Sequence, residues 1–383
     1  MKHIAILVPS FPIASETFVI TEINALVSTG HKVTVLAFNT HRFTSNLAAS
    51  VEVFSIAKPK LSDFLKPHAI STRLFKALCT AAKFKSISTR SLIGYGAALA
   101  NLIKELKVDH LHCHFMHGPL AYGIVGARLA GVTVSSIGHG HDVYVNGADI
   151  KQKLDECDFV VAVCKDMKSQ FERLTNTQTK LLHCGVNLNI FSHKVKALNS
   201  EIKLIFIGRL VEKKGLQFLF PAIKRLQRHA YISLDIVGDG PMFEVLETLS
   251  YELGINRQVR FIGRKSPQWI ADNCRKYTAL VAPFCVASNG DRDTGPLVLK
   301  EAMACGIPVL STKLMGVTEI VTDKVGMLCE PGDEDALFEM LKAFCQLSPY
   351  VRYVMGINAN KLVSRYFNAQ LQAKKLSSWV QTL

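Results

Sequence analysis

The stretch IKLIFIGRLVEKKGLQFLFPAIKRLQ, residues 202–227, sets the architecture. An apolar run, Ile202–Ile207, ends at Gly208. A short charged loop follows. From Lys213 the apolar residues recur at helical spacing. This strand–loop–helix unit repeats down the chain. ISLDIVGDG (232–240) precedes PMFEVLETLSYELG, QVRFIG (258–263) precedes PQWIADNCRKY, and ALVAPF (279–284) precedes PLVLKEAMACG and then IPVLST. The same rhythm runs upstream. KHIAILVPSF (2–11) precedes the helical ETFVITEINALVSTGH, and KVTVLAF, VDHLHCHF, VTVSSIGH, DFVVAVC and TKLLHC read as further strands. SHKVKALNS (192–200) is a polar connector between the two series. Alternating β and α elements imply doubly wound parallel sheets. The expected fold class is therefore α/β, with two Rossmann-like domains facing across a cleft. The first domain is expected over 1–191 and the second over 201–363, with 192–200 as linker. A final helix over 364–383 is expected to cross back to the first domain.

Composition agrees with a packed chain. Of 383 residues, 49% are hydrophobic and 20% charged, which excludes a disordered protein. Ten scattered cysteines form no C-x-x-C pair, so they read as reduced small hydrophobes rather than disulfides or a zinc site. No apolar run is long enough to span a membrane. The run Ile4–Val8 is shorter than a signal-peptide core and reads as a strand, so a cytoplasmic location is expected.

The net charge is +14. Its densest patch lies in 58–90, where Lys58, Lys60, Lys66, Arg73, Lys76, Lys83, Lys85 and Arg90 face only Asp63. Ile70, Leu74, Phe75, Leu78, Ala81 and Ala82 share one helical face there, with Arg73, Lys76 and Lys83 opposite. Two readings stay open: an interfacial helix on the anionic inner-membrane surface, or a core-facing helix with a solvated basic face. Nucleic acid is not expected, because no groove-reading or aromatic module accompanies the charge.

Ligands of open parallel sheets bind beyond the carboxyl ends of the strands. There, Gly208 permits close backbone approach, Arg209 offers a fork of donors, Lys214 adds a point charge, and a helix start lies behind them. That grouping suits a diphosphate, or else is a solvated basic turn. Downstream, DRDTGPLVLKEAMACG (291–306) places Asp293 in a loop and Glu301 inside a helix, with the free N–H groups of Leu297 and Val298 between them. The two acids suit hydroxyl groups at the two ends of one ligand. Asp291 and Asp293 also form a D-x-D pair of the kind that holds a divalent metal.

Together, in order, these segments resemble the retaining nucleotide-sugar glycosyltransferases of family four, of GT-B architecture, and the members that build bacterial exopolysaccharides, colanic acid and capsules in particular. FPIASETFVITEI (11–23), GHGHDVY (138–144), HCGVNLNIF (183–191), VGDGP (237–241) and MGVTEIV (315–321) carry the likeness with Arg209, Lys214 and the acid-x7-Glu pattern, over about residues 1–365. The resemblance implies transfer from a nucleotide-diphosphate sugar, UDP first, to a glycan or polyprenyl-lipid-linked acceptor in exopolysaccharide biosynthesis. It implies no cofactor and no metal. The alternatives are a GDP-mannose-dependent mannosyltransferase and a non-catalytic nucleotide-sugar-binding relative. By the same resemblance Glu301 meets the ribose and Asp293 the donor sugar. Arg209 and Lys214 hold the leaving diphosphate, His139 sits near the anomeric region, and Gly263 and Arg264 lie near the base. Gly295, Leu297 and Val298 line the helix start, and Ser15 and Thr17 approach the phosphates. Three departures stand out: Asp293 replaces the family's Glu, the first loop lacks a Gly-Gly pair, and Cys184 and Asn187 replace Asn and Asp.

VGDGPMF lacks the third glycine of a dinucleotide fingerprint, so NAD is not expected. HLHCHFMH (110–117) puts His110, His112 and His114 on one strand face, either as satisfied histidines or as a zinc site. Glu319 reads as a structural acid at a helix start.

Overall fold

The computed structural model of the chain describes residues 1–41, 46–60, 72–193 and 200–383. Contacts divide it into two units, Met1–Gly185 with Ala369–Leu383, and Val186–Asn368. Residues 194–199 of the connector lie outside the described residues.

The first unit is built on β1 (His3–Phe11), β2 (Lys32–Thr40), β3 (Glu52–Ser55), β4 (His110–His114), β5 (Thr133–Ile137), β6 (Phe159–Ala162) and β7 (Thr179–Leu181). Their spatial order is β3-β2-β1-β4-β5-β6-β7, all parallel among the described residues. The reversal at β1 is a switch point of the kind that opens a crevice at strand ends. The central strands β1 and β4 are buried throughout most of their length, as helix-covered parallel strands must be. That is why Ile4–Val8 runs apolar without alternation.

The second unit holds β8 (Ile202–Ile207), β9 (Ile232–Val237), β10 (Val259–Gly263), β11 (Ala279–Ala282), β12 (Val309–Thr312) and β13 (Gly326–Cys329). These pair in parallel in the order β10-β9-β8-β11-β12-β13. The switch point falls between β8 and β11. Apolar side chains fill both faces. Ile205, Leu280, Leu299 and Ile307 lie in one core, and Leu204, Phe206, Leu219 and Val281 in the other. Two strands were not anticipated. β3 and β13 are four residues each, and GMLC carries no β-branched residue to mark it.

Two glycines fix the loops at this switch point. Gly238 has φ +148, and a Cβ there would lie 1.8 Å from the Gly208 carbonyl oxygen. The VGDGP turn thus packs its backbone directly onto the loop that carries Arg209. Gly215, at φ +72, would place a Cβ 1.8 Å from the Pro283 carbonyl oxygen. It closes the turn after Lys214 against the end of β11.

Candidate functional site

In the second unit the loop after β8 continues into a 3-10 turn, Glu212–Lys214. That turn is stitched to the loop after β11. The Glu212 carboxylate accepts from the Ser288 N–H at 2.9 Å and its hydroxyl at 2.7 Å. Cys285 N–H donates to the Lys213 carbonyl at 2.9 Å. Lys213 Nζ donates to Asp291 Oδ1 at 3.0 Å. Lys214 Nζ donates to Asp293 Oδ1 at 3.0 Å and sits 4.8 Å above the Phe284 ring. The same ammonium lies 3.0 Å from Asp293 Oδ2, but off the line of a hydrogen bond, so that buried oxygen remains unsatisfied. The two acids of D-x-D are thus each engaged by one of two consecutive lysines. Arg209, by contrast, is exposed, and no partner is recorded for it among the described residues. The loop cluster therefore presents one free guanidinium beside a paired ammonium and a half-paired carboxylate.

The helix behind it spans Leu297–Ala304, with Pro296 as N-cap rather than as first helical residue. The N–H groups of Leu297 and Val298 belong to its open first turn, and Gly295 lies in the loop just before it. Thr294 C=O accepts from Gly316 N–H at 3.1 Å, which ties the MGVTEIV loop to the same place. Glu301 lies one turn further on. Burial pushes its carboxyl up to about 7, with Lys300 opposing. Gly263 closes β10 with φ +67 and open space around it, and Arg264 beyond it is exposed. The Gly263 carbonyl accepts from Gly238 N–H at 3.1 Å. Arg209, Lys214, Asp293 and Gly263 thus come from strand ends and loops bound to one another, and Glu301 from the helix that follows Asp293. A second acid of this unit, Asp235, is saturated. It takes two 2.8 Å bonds from Arg260 and one from the Tyr277 hydroxyl, and so serves structure.

The first unit holds the rest. Ser15 is exposed and Thr17 opens the helix Thr17–Ser28. Between them, burial pushes Glu16 up to about 7, with His114 lowering and Asp142 raising it. His139 caps the helix Gly140–Tyr144, and its N–H donates to Asp142 Oδ1 at 2.9 Å. The opposite oxygen of Asp142 accepts from Met116 N–H at 2.7 Å. Burial pushes the Asp142 carboxyl up to about 6 despite these donors. Burial also holds His139 down at about 3, helped by His114, so the ring is neutral at physiological pH. Phe18 packs on it with ring centres 4.6 Å apart.

His110, His112 and His114 are all fully buried on β4. His110 bonds Thr133 and Ser135 at 2.7 Å each. His112 and His114 converge on Glu22, which lies in the FPIASETFVITEI segment but was given no role there. The signal was present. Glu22 sits three residues after Val19 and four before Leu26, on the apolar stripe of its helix, where an acid needs a partner. Lys213 and Glu212 were missed for a different reason. Their partners are more than 70 residues away, at Asp291 and Ser288.

The basic helix needs correction. It runs Thr72–Lys83, and Ile70 and Lys66 lie outside the described residues. Ala77, Thr80 and Ala81 are buried, so part of the apolar face points to the core. Phe75 and Leu78 remain 70% and 41% exposed. Lys83 is exposed and also pairs with Glu156, and Arg73 donates to the Ala130 carbonyl. No helix among the described residues is long and apolar enough to cross a membrane.

Comparison with known proteins follows the same division. Residues 15–190 match the model described as Glycosyltransferase Family 4, and residues 189–361 the model described as Glycosyl transferases group 1. WcaL of Escherichia coli K12, a glycosyltransferase named for colanic acid biosynthesis, is 26% identical, covering 97% of this chain and 98% of its own. The amylovoran biosynthesis glycosyltransferase AmsK of Erwinia amylovora is 24% identical with the same coverage, 97% and 98%. Among solved structures, Anabaena HepE in complex with UDP and glucose superposes with a TM-score of 0.75 at 18% identity, covering 100% of both chains. The chain belongs to the family-four, group-one glycosyltransferases and has their GT-B fold.

Proposed function

We propose that the chain transfers a sugar, with retention and without a metal, from a nucleotide-diphosphate sugar to a glycan or polyprenyl-lipid-linked acceptor in exopolysaccharide assembly. The observation that carries this is the loop cluster of free Arg209, the Lys214–Asp293 pair and the open helix start before Glu301. The relatives named for colanic acid and amylovoran biosynthesis support the setting, and the UDP complex of HepE supports UDP as donor nucleotide. In this reading the second unit takes the donor and the first the acceptor. The diphosphate rests against the N–H groups of Leu297 and Val298, and its negative charge is met by Arg209. Entry of the diphosphate gives Lys214 a second anion and loosens its hold on Asp293, whose carboxylate is then free for a sugar hydroxyl. Glu301 accepts the ribose hydroxyls, and Gly263 and Arg264 flank the base.

Breaking the bond between the sugar and the diphosphate adds one negative charge to the leaving diphosphate, which Arg209 and Lys214 stabilise in place of a metal. Both acids of D-x-D already have lysine partners, which is the support for metal independence. No second carboxylate is placed as a nucleophile. Retention then follows from attack on the face the diphosphate leaves, with that diphosphate taking the acceptor's proton.

Calorimetry of the purified protein against UDP, GDP and their sugars tests the reading. Binding of UDP but not GDP, with transfer unchanged by EDTA, is expected. Binding of GDP alone would instead favour the mannosyltransferase alternative, and binding of neither would remove the donor site. A nucleotide sugar that binds but is never turned over would make the chain a binding relative.

We also propose peripheral attachment to the cytoplasmic face of an anionic membrane through Phe75, Leu78 and Lys76. Replacing both Phe75→Ser and Lys76→Glu should lower co-sedimentation with phosphatidylglycerol vesicles at least severalfold. These sites are preferable to Lys83, which also pairs with Glu156. Unchanged co-sedimentation would leave the helix a purely structural one.

A further inference from the structure

Four histidines of the first unit lie in one hydrogen-bonded array that ends on Glu22. His114 Nε2 is 3.0 Å from Glu22 Oε1, and His114 Nδ1 is 3.4 Å from His139 Nε2. On the other side His112 Nε2 faces the same Glu22 oxygen at 3.6 Å, beyond a full hydrogen bond. His112 Nδ1 is 2.8 Å from Ser135 Oγ, which lies 2.7 Å from His110 Nε2. His110 Nδ1 is 2.7 Å from Thr133 Oγ1.

Proton positions follow from the chemistry of the end group. Burial pushes the Glu22 carboxyl up, but His114, His112 and His139 together bring it below the usual carboxylate range. It is therefore ionised and can only accept. His114 must then carry its proton on Nε2. With one proton per neutral ring, His114 Nδ1 is a lone pair, and His139 must donate to it from Nε2. The second branch resolves in the same sense. His112 turns Nε2–H toward Glu22 and accepts the Ser135 hydroxyl proton on Nδ1. Ser135 accepts from His110 Nε2–H, and His110 Nδ1 accepts from Thr133. Every donor except His112 Nε2–H, which faces Glu22 beyond hydrogen-bond distance, then meets an acceptor. Burial keeps His110, His112 and His139 in the neutral form that this requires.

We propose that Glu22 and His114 are positioning residues that lock His139 in the Nε2–H tautomer, so that its Nδ1 keeps the lone pair that accepts the Asp142 N–H at the start of the helix Gly140–Tyr144. The pair thereby fixes the turn made by GHGHDVY, independently of the function proposed above. Glu16 and Asp142, the other ionisable groups coupled to this array, carry acids raised by burial to about 7 and about 6.

One rival assignment uses the same atoms. Glu22 Oε1, His112 Nε2 and His114 Nε2 lie within 4.8 Å of one another, close enough to ligate one ion. A metal there would take the Nε2 lone pairs and force Nδ1–H on both rings, the opposite tautomers. Long-range proton–nitrogen NMR of nitrogen-15 histidine-labelled protein reads the difference. The spectra are taken at pH 8, above the range of a free imidazole, with and without added zinc chloride. Protonated Nε2 on His112, His114 and His139 in both samples is expected. In Glu22→Gln, whose amide can donate as well as accept, His139 should lose this preference and show both tautomers. Protonated Nδ1 on His139 in the wild type, or tautomers unmoved by Glu22→Gln, would overturn the proposal. So would stoichiometric zinc with protonated Nδ1 on His112 and His114. The wild-type spectrum decides even where the variant folds poorly. Nucleotide calorimetry reports on Arg209 separately, and neither of its outcomes moves these tautomers.

Discussion

Arg209→Ala is expected to lower kcat/KM for the nucleotide sugar by roughly 10²–10³-fold while leaving Tm within about 2 °C of wild type. The two halves of this result have separate causes. The guanidinium is exposed, with no recorded partner among the described residues, so its loss breaks nothing in the unliganded fold. In the proposed transfer it meets charge that grows as the diphosphate leaves, so its loss falls on the transition state more than on ground-state binding. Lys214→Ala makes the instructive contrast. Its ammonium is the partner of a carboxylate whose second oxygen is already unsatisfied. Removing it strands Asp293, at a cost of about 1–3 kcal/mol, or a fall of several degrees in Tm, in addition to slower transfer. Stopped-time assays of sugar transfer with melting curves on the same preparations separate the two. An Arg209→Ala protein with wild-type kcat/KM would move the diphosphate elsewhere.

Glu301→Gln is expected to weaken nucleotide binding roughly 10- to 100-fold, the loss of about 1.5–3 kcal/mol of charge-assisted hydrogen bonding. It should also abolish a pH dependence. Burial raises the free-protein carboxyl to about 7, and ribose hydroxyls bind the ionised form better. Wild-type affinity should therefore rise between pH 5.5 and 7.5 by roughly tenfold and level off above, with proton release on binding. Stability has the opposite sign. A carboxyl raised in the fold contributes stability that is present in full at low pH and is lost as pH climbs through about 7. At pH 8 the ligand-free Gln variant should thus be more stable than wild type, by about 1–2 kcal/mol. Calorimetry in buffers of different ionisation enthalpy, with melting curves at pH 5 and 8, measures both. An affinity that is flat with pH in the wild type would place the ribose away from Glu301.

What the sequence made legible was local. Strand, loop and helix stand next to one another in IKLIFIGRLVEKKGLQF, and periodicity within ten residues reveals them. Arg209, Lys214 and Glu301 could be singled out as candidates because each stands near its own strand end or helix start. The unread part is what closes over long separations. Glu22 meets His114 across 92 residues, Lys213 meets Asp291 across 78, and Lys83 meets Glu156 across 73. Nothing in the neighbourhood of Lys83 signals Glu156, so a helical wheel shows its exposed face and not its ion pair. Strand β13 escaped for want of composition. Its pairing with β12 comes from the sheet edge it completes, not from its own residues.

The last fifteen residues carry one more implication, for the order of assembly. Ala369–Leu383 belongs to the first unit, where Leu376 and Val380 are fully buried and the Ser377 hydroxyl meets His31 at 2.7 Å. The second unit is thus an insertion within the first. During synthesis the usual precedence is reversed. The downstream unit has all of its chain once Asn368 clears the ribosome. The upstream one, begun earlier, must wait with part of its apolar surface uncovered until the final helix emerges. A nascent chain of this protein therefore spends its longest vulnerable interval on the half that was made first.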